Sequence, residues 1–193
     1  MKLYLFIINL AMLLIALVNI IAKTAAPLYV IAAVIGCTAL QFLLDGILAI
    51  LISHLPDRWF SAKNPLFHVT KAELSLYRRL HIKKWKDKVW ELGGLGGFSK
   101  KDLERPNDPA YIERFIVECN KGVVIHRLSY GIGFTAMLLF PTASARRIAL
   151  PVALVNLLLN ILPTIVLRSN TPLLQMLLHR LQRRSEPDGT GQR

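Results

Sequence analysis

The sequence predicts an all-α integral membrane protein with about four transmembrane helices and a basic cytoplasmic interfacial segment between helices 2 and 3. Of its 193 residues, 53% are hydrophobic, and they lie in long blocks. Lys and Arg number 24 against 12 Asp and Glu, an excess that suits an anionic membrane surface better than nucleic acid here. The chain has two cysteines, Cys37 and Cys119, which excludes a disulfide-stapled secreted domain and indicates reduced thiols.

Four apolar blocks are long enough to cross about 30 Å of hydrocarbon. The first is either retained as a helix or removed as a signal peptide, and its length and the poor cleavage site after it favour a helix. The second block contains Gln41 and Asp45, and the third begins with His126 and Arg127. The predicted spans are residues 3–22, 28–55, 123–140 and 150–167.

The distribution of basic residues predicts the orientation in the cell membrane. With these spans, 20 Lys and Arg residues fall on one side, and only Lys23, Arg146 and Arg147 fall on the other. Positive residues accumulate in cytoplasmic loops. Both termini and the central segment are therefore expected to be cytoplasmic.

The central segment, residues 56–122, is too polar to lie in lipid. Within it, Lys71 to Trp90 reads as one basic amphipathic helix in the headgroup plane, with Trp85 and Trp90 as interfacial anchors. The apolar stripe of this helix would comprise Leu74, Tyr77, Leu80, Ile82, Trp85 and Val89. The expected divisions, all within one domain, are 1–55, 56–122, 123–170 and a basic amphipathic tail, 171–193.

Three short segments after the basic helix predict a turn or the start of a new helix. The glycines between Gly93 and Gly97 predict a flexible turn, since no Gly-Lys-Ser/Thr follows them. Asp108-Pro109 should begin a helix that runs to about residue 140, because proline favours the first turn. Thr171-Pro172 should begin a short amphipathic helix with a basic end.

The histidines and cysteines show no metal-binding spacing, and no Gly-x-Ser-x-Gly motif indicates a serine hydrolase. Glu118 and His126 share a drifting helix face at the predicted membrane entry, where ionisable groups are costly unless used or paired. Eight residues rise about 12 Å, so the two side chains cannot touch on a straight helix. Either both act at different depths of one cleft or through other helices, or Glu118 pairs with a basic residue and His126 caps the interface.

Other polar residues in the spans also have two interpretations. Asp45 either pairs with Arg127 or Arg168 as a buried structural group or takes part in catalysis. Asn156 and Asn160 either hydrogen-bond across helices, or one of them binds a substrate hydroxyl or carbonyl. Arg168 either extends to the interface or clamps an anion.

Several segments, taken in order, resemble the glycosyl-4,4'-diaponeurosporenoate acyltransferase family, small membrane proteins that esterify the sugar of glycosylated carotenoids. The resemblance covers about residues 56–184, and its most specific parts are the run Ile82-Lys83-Lys84-Trp85-Lys86-Asp87 and the spacing of Glu118 and His126. The chain has Val123 where the family pattern carries a second acid. The other matching positions are 56–60, Lys88, Glu91, Phe98, Lys100, Leu103, Asn160, Pro163 (one place off), Arg168, Asn170 and Pro172.

The resemblance implies acyl transfer from a thioester, such as acyl-CoA, to a hydroxyl of a lipidic glycoside, without a cofactor or metal. It implies His126 as the base, with Glu118 orienting the acceptor or holding a basic residue. The substrate-binding residues would be Lys83, Lys84, Trp85, Lys86, Asp87, Glu91, Asn160, Arg168 and Asn170. Membrane lipids would be partners, and nucleic acid would not. The rival classes are a non-catalytic module that binds anionic lipid or a protein, and another enzyme of lipid-linked sugars.

Overall fold

A computed structural model of the chain describes residues 2–86, 89, 103–139 and 142–185. The regular secondary structure of these residues is helical, which confirms the predicted all-α class. The α-helices are α1 (Lys2–Ile21), α2 (Pro27–Ser53), α3 (Lys71–Arg79), α4 (Pro109–Ile132), α5 (Ala136–Leu139) and α6 (Ala143–Ser185). Short 3₁₀ helices form at Asp57–Phe60, Pro65–Phe67, Ile82–Lys84 and Gly133–Thr135.

Four helical stretches within the described residues are long and apolar enough to cross a membrane, as the sequence predicted. On α1 and α2, large apolar side chains such as Leu13 and Leu43 are exposed, which is the arrangement of helices that face lipid. The four stretches are Tyr4–Ile21, Pro27–Ser53, Pro109–Leu139 and Ala143–Arg184.

The chain divides into two compact units. Unit 1 contains the described residues of Met1–His54, Lys88–Trp90 and Val124–Thr164, and unit 2 contains those of Leu55–Asp87, Glu91–Val123 and Ile165–Arg193. Both α4 and α6 contribute residues to each unit. Of the predicted catalytic pair, Glu118 belongs to unit 2 and His126 to unit 1.

Unit 1 is held together by the apolar faces of its long helices. One buried cluster joins Val30 and Val34 of α2 to Ile148 of α6, and a second contains Cys37, Ala136, Ala149 and Val152. Pro163 cannot donate a backbone hydrogen bond to Leu159 O, and the Tyr4 hydroxyl donates to that carbonyl instead, at 3.5 Å. A side chain of α1 thereby satisfies a carbonyl that proline leaves exposed within an apolar span.

Unit 2 packs around the first half of α4. As predicted, α4 begins at Pro109, and Asp108 Oδ1 caps it by accepting hydrogen bonds from the backbone N–H groups of Ala110 and Tyr111 at 3.0 and 3.2 Å. The core contains Ile112, Phe115, Ile116, Cys119, Val123, Leu167, Leu174 and Leu178. Val123 is 1% exposed in this core, so an acid at this position would lie among apolar side chains.

The single helix predicted from Lys71 to Trp90 is wrong, because α3 ends at Arg79. His81 adopts a left-handed conformation with φ 49°, which turns the chain before the 3₁₀ helix Ile82–Lys84. The Trp85 Nε1–H donates to Leu80 O at 2.9 Å and so satisfies a carbonyl group that has no helical partner at the end of α3. Of the predicted apolar stripe, Tyr77, Ile82 and Val89 are buried, whereas Leu80 is exposed.

The predicted helix after Thr171-Pro172 exists, but it is the continuation of α6 rather than a separate element. At 43 residues, α6 is about 64 Å long by the standard rise, roughly twice the hydrocarbon thickness. It therefore combines a membrane span with an extension that ends in Arg183 and Arg184. The Thr171 hydroxyl donates to Leu167 O at 3.2 Å beside Pro172, adding a side-chain hydrogen bond at a point where proline removes a backbone donor.

Candidate active site

His126 is held by a hydrogen bond from α4 to α6 within unit 1. Its Nδ1 lies 2.8 Å from Asn160 Oδ1. Asn160 is 7% exposed and His126 is half-buried. The sequence offered Asn160 as helix-to-helix glue or as a substrate ligand, and in the structure it links two helices by binding the predicted base.

The other hydrogen bonds of Asn160 fix the orientation of its carboxamide. Its Nδ2 donates to the backbone oxygen of Asn156 at 3.0 Å and approaches Asn156 Oδ1 at 3.2 Å. Oδ1 therefore faces His126, and because this oxygen only accepts, Nδ1 of the histidine must carry the proton. In the neutral ring, Nε2 then carries the lone pair, which is the form of imidazole that accepts a proton from a hydroxyl.

His126 and Asn160 belong to a polar cluster, whose other members are Asp45, Ser129 and Asn156. The Asn156 Nδ2 group donates to Ser129 O at 3.4 Å, and the polar neighbours of the Asp45 carboxyl group are the side chains of Ser129, Asn156 and Asn160. Arg127 is exposed. The prediction that Asp45 pairs with Arg127 or Arg168 is therefore wrong within the described residues, since its neighbours are uncharged.

Close packing of two helices and a turn positions the cluster. Gln41 of α2 is 4% exposed and donates from Nε2 to Gly133 O at 3.2 Å. A Cβ atom built at Gly133 would lie 3.1 Å from Asn156 Nδ2, so only glycine lets the 3₁₀ turn approach α6 this closely without a shift. Gly133 and Gln41 were not identified as site residues from the sequence.

Glu118, the second predicted catalytic residue, is half-buried on α4 in unit 2. Among the described residues no hydrogen bond or ion pair engages its carboxylate. The alternative that Glu118 pairs with a described residue of the basic segment is therefore not what the structure shows.

Arg168 is a buried structural cation in unit 2, at 5% exposure. Its guanidinium binds the Glu73 carboxylate of α3 in a bidentate manner, through Nε to Oε1 and through Nη2 to Oε2, the latter at 2.7 Å. Nη2 also donates to His68 O at 3.1 Å, and the Tyr77 hydroxyl donates to Glu73 Oε1. Internal acceptors thus hold Arg168, and this geometry gives no support to the anion clamp or to an extension toward the interface.

This network shifts the pKa values of two side chains on α3, Glu73 and Tyr77. The hydrogen bond from Arg168 is the main reason why the pKa of Glu73 is lowered from its ordinary value, and burial opposes it. The pKa of Tyr77 is raised, first by burial and then by the adjacent Glu73 carboxylate. Glu73 is therefore ionised and Tyr77 neutral at pH 7.

Glu73 was not identified as a site residue from the sequence, although a signal for its position is present there. Thr70 and Glu73 have the Thr-x-x-Glu spacing of a capping box, and the Thr70 hydroxyl accepts the Glu73 N–H at 3.2 Å. The carboxylate does not return to the helix start but binds Arg168. The partner of the Glu73 carboxylate, Arg168, lies 95 positions away in the sequence, and local spacing cannot predict such a contact.

The matched segment at residues 56–60 is a structural element of unit 2. Asp57 Oδ1 accepts from the buried Lys121 Nζ at 2.6 Å, and Nζ lies 5.7 Å from the centre of the Phe60 ring. Asn120 Nδ2 donates to Phe60 O at 2.8 Å. These contacts fasten the segment to α4, and neither Asn120 nor Lys121 was identified from the sequence.

The predicted substrate-binding residues of the basic segment lie partly within the described structure. Lys83 and Lys84 are exposed, Lys86 and Trp85 are half-buried, and Asn170 on α6 is half-buried. Asp87, Glu91 and the glycine turn at residues 93–97 lie outside the described residues.

An open cleft of about 850 Å³ in unit 2 brings further cations together. Arg58, Lys63 and Arg114 line it with the acids Asp57 and Glu113. These cations contribute to the charge distribution that predicts the orientation of the protein, but they come from separate segments, so the sequence does not predict that they share a site.

The family model for glycosyl-4,4'-diaponeurosporenoate acyltransferase matches residues 56–180, well over half of the chain. No curated protein and no solved structure matches the sequence. The matched region contains His126, Asn160 and the Arg168–Glu73 pair, and four apolar helices make the chain a membrane protein. This chain belongs to the glycosyl-4,4'-diaponeurosporenoate acyltransferase family and is an acyltransferase.

Proposed function

We propose that this protein transfers a fatty acyl group from a thioester donor, such as acyl-CoA, to a sugar hydroxyl of a membrane-embedded glycoside, with His126 as the base. The observation that carries the proposal is the hydrogen bond between His126 Nδ1 and Asn160 Oδ1, because an oxygen that only accepts favours, in the neutral ring, the tautomer that a base requires. The family match supplies the reaction class.

In this proposal, Nε2 of His126 takes the proton of the acceptor hydroxyl as its oxygen attacks the thioester carbonyl. The carbon–sulfur bond then breaks, and the imidazolium returns the proton to the departing thiolate. The products are one ester and one thiol. A positioned base of this kind contributes typically 10²–10⁴-fold in rate. Asn160 positions the ring throughout, and Glu118 is assigned to orienting the acceptor.

The activity itself is tested with purified protein in nanodiscs that contain a glucosylated lipid. We expect acyl-CoA to convert this lipid to a species heavier by one acyl group, detected by mass spectrometry. The matching lipid without the sugar is the control and should remain unmodified. Acylation of both lipids alike, or of neither by well-folded protein, would contradict the assignment.

The cations of the basic segment, residues 56–122, are proposed to hold the phosphates of the donor near an anionic surface. Replacing Lys83, Lys84, Lys86 and Lys88 by Gln should weaken binding of acyl-CoA at low salt, by up to about 1 kcal/mol per charge. Titration calorimetry in nanodiscs measures this effect. The matched control replaces Arg146 and Arg147, which the charge distribution places on the opposite side. Equal loss in the control, or unchanged affinity in the Lys variant, would count against this role.

We further propose that both termini and residues 56–122 face the cytoplasm. Single cysteines at Ser75 on α3 and at Ala143 at the start of α6 test this, since both positions are exposed whereas the native Cys37 and Cys119 are buried. On intact cells, a membrane-impermeant thiol reagent should label Ala143→Cys but should label Ser75→Cys only after lysis. Labelling of Ser75→Cys from outside would refute the orientation.

A further inference from the structure

Two side-chain oxygens of the polar cluster are buried without a hydrogen-bond partner among the described residues. They are Asp45 Oδ1 on α2 and Ser129 Oγ on α4. The carboxyl group of Asp45 also neighbours the carboxamides of Asn156 and Asn160 on α6. Three helices of unit 1 thus bring a carboxyl, a hydroxyl and two carboxamides together inside stretches apolar enough to span a membrane.

Such groups are costly in an apolar setting unless their hydrogen bonds are made. Acids within membrane spans are rare and mark sites that bind or transport polar species. Among the described residues, the carboxyl group of Asp45 has no cation as a polar neighbour, so charge pairing with them does not explain why it is there. The remaining hydrogen-bonding capacity of Asp45 and Ser129 therefore fits an external partner rich in hydroxyl groups.

We propose that Asp45, Ser129 and Asn156 form the subsite that binds the sugar hydroxyls of the acceptor within unit 1. A carboxyl group accepts hydrogen bonds from neighbouring hydroxyls, while the serine hydroxyl and the carboxamide both donate and accept. Asn160 joins this subsite to His126, with 2.8 Å between Oδ1 and Nδ1. A sugar bound here presents a hydroxyl beside the base, so the subsite rests on the proposed acyl transfer and adds the residues that select its acceptor.

The experiment measures lipid binding rather than turnover. Purified protein in nanodiscs is offered equal amounts of a monoglucosyl diacylglycerol and the matching diacylglycerol, and the bound ratio is read by native mass spectrometry. The wild-type protein should prefer the glucosylated lipid at least tenfold. Asp45→Asn should reduce this preference to near unity, because it removes the carboxyl group at constant size. Ser129→Ala should reduce it severalfold and serves as the second variant if Asp45→Asn fails to fold.

The matched control is Thr38→Val. Thr38 lies on α2, and its Oγ1 is also buried without a partner among the described residues, but it is not a polar neighbour of the Asp45 carboxyl group. This variant should keep the wild-type preference. His126→Gln should also keep the preference while losing turnover, which separates the subsite from the base.

Three results would overturn the subsite: equal binding of the two lipids by the wild-type protein, an unchanged preference in folded Asp45→Asn and Ser129→Ala proteins, or an equal loss in Thr38→Val. The first of these means that water alone satisfies the buried oxygens. A lost preference in Asp45→Asn together with full turnover in His126→Gln supports the subsite and removes the proposed base. The two assignments therefore fail separately.

Discussion

Replacing His126 by Gln or Ala should lower acyl transfer at least 100-fold while leaving the protein folded and membrane-inserted. Glutamine keeps a hydrogen-bonding group at this position but cannot accept a proton at neutral pH, so the loss should match that of alanine. The measurement is product formation by purified protein in nanodiscs, alongside its melting temperature. A base contributes about 10²–10⁴-fold, which sets the expected size.

The matched control is His54→Gln, at the exposed end of α2 in the same unit. It should retain wild-type turnover, because its ring Nδ1 contacts only the neighbouring Ile50 O and Ser53 Oγ in the described structure. Glu118→Gln should be damaging but less so than His126→Gln, since an orienting group tolerates an amide. Near-wild-type turnover in a well-folded His126→Ala protein would remove His126 from the mechanism.

Substitutions of Asn160 test whether this residue positions His126, because the pH dependence of the rate would not change if Asn160 were only structural. In Asn160→Asp, a carboxylate accepts from Nδ1–H and favours the protonated ring, so the acid limb of the rate–pH profile should move to higher pH. Asn160→Leu should lower turnover about tenfold or more without this displacement, because the ring loses its fixed tautomer. An unmoved acid limb in an active Asn160→Asp protein would contradict the link to His126.

Breaking the Arg168–Glu73 pair should have the largest effect on stability. Either Arg168→Gln or Glu73→Gln should cost about 3–5 kcal/mol, since each leaves a group of opposite charge poorly solvated, with side chains 6% and 20% exposed. The double substitution should cost less than the sum of the two, because neither charge then remains unpaired. Reversible denaturation in detergent measures all three variants.

The control for this pair is Asp57→Asn. The carboxylate of Asp57 also binds a buried cation, Lys121, but its own side chain is 73% exposed and the Phe60 ring also neighbours the ammonium, so its loss should cost less than either change in the Arg168–Glu73 pair. If Arg168 were an anion clamp, Arg168→Gln would raise the KM for the donor without lowering stability. That outcome would contradict the structural role.

The same pair predicts how stability depends on pH. The native pKa of Glu73 lies below its ordinary value of 4.5, so its contribution to stability is present above that value. This contribution should be lost as the pH falls through the lowered native pKa. Glu73→Gln should lack that part of the acid destabilisation, and an unchanged acid profile would contradict the assignment.

The number of spans and the start of α4 were predictable, because they depend on local patterns. Apolar length identified the four spans, and Asp108-Pro109 identified the helix start through its capping oxygen and fixed φ angle. The interfacial helix was predicted too long. The apolar spacing of the sequence continues past Arg79, whereas in the structure the chain turns at His81. The residue type of His81 does not by itself predict its positive φ.

The candidate site was only half predictable for a different reason. His126 and Asn160 were identified one by one as costly polar residues in apolar helices, but their hydrogen bond joins positions 34 apart. Asp45 was predicted to pair with an arginine because the two charges are opposite. In the structure the packing of the helices gives its carboxyl group uncharged polar neighbours instead. Arg168 was assigned to substrate because Glu73 is distant in sequence. Pairing between helices is set by packing, which a single sequence does not display.

A pre-steady-state comparison of the wild-type protein with His126→Gln, both saturated with acyl-CoA and a glucosylated lipid acceptor in nanodiscs, tests whether His126 is the base. Rapid quenching follows the first turnover, and ester and thiol are quantified together. We predict that wild-type protein forms the two in equal amounts and that His126→Gln forms both at least 100-fold more slowly, with glycolipid binding intact. Equal single-turnover rates in the two proteins would contradict the claim that His126 is the base.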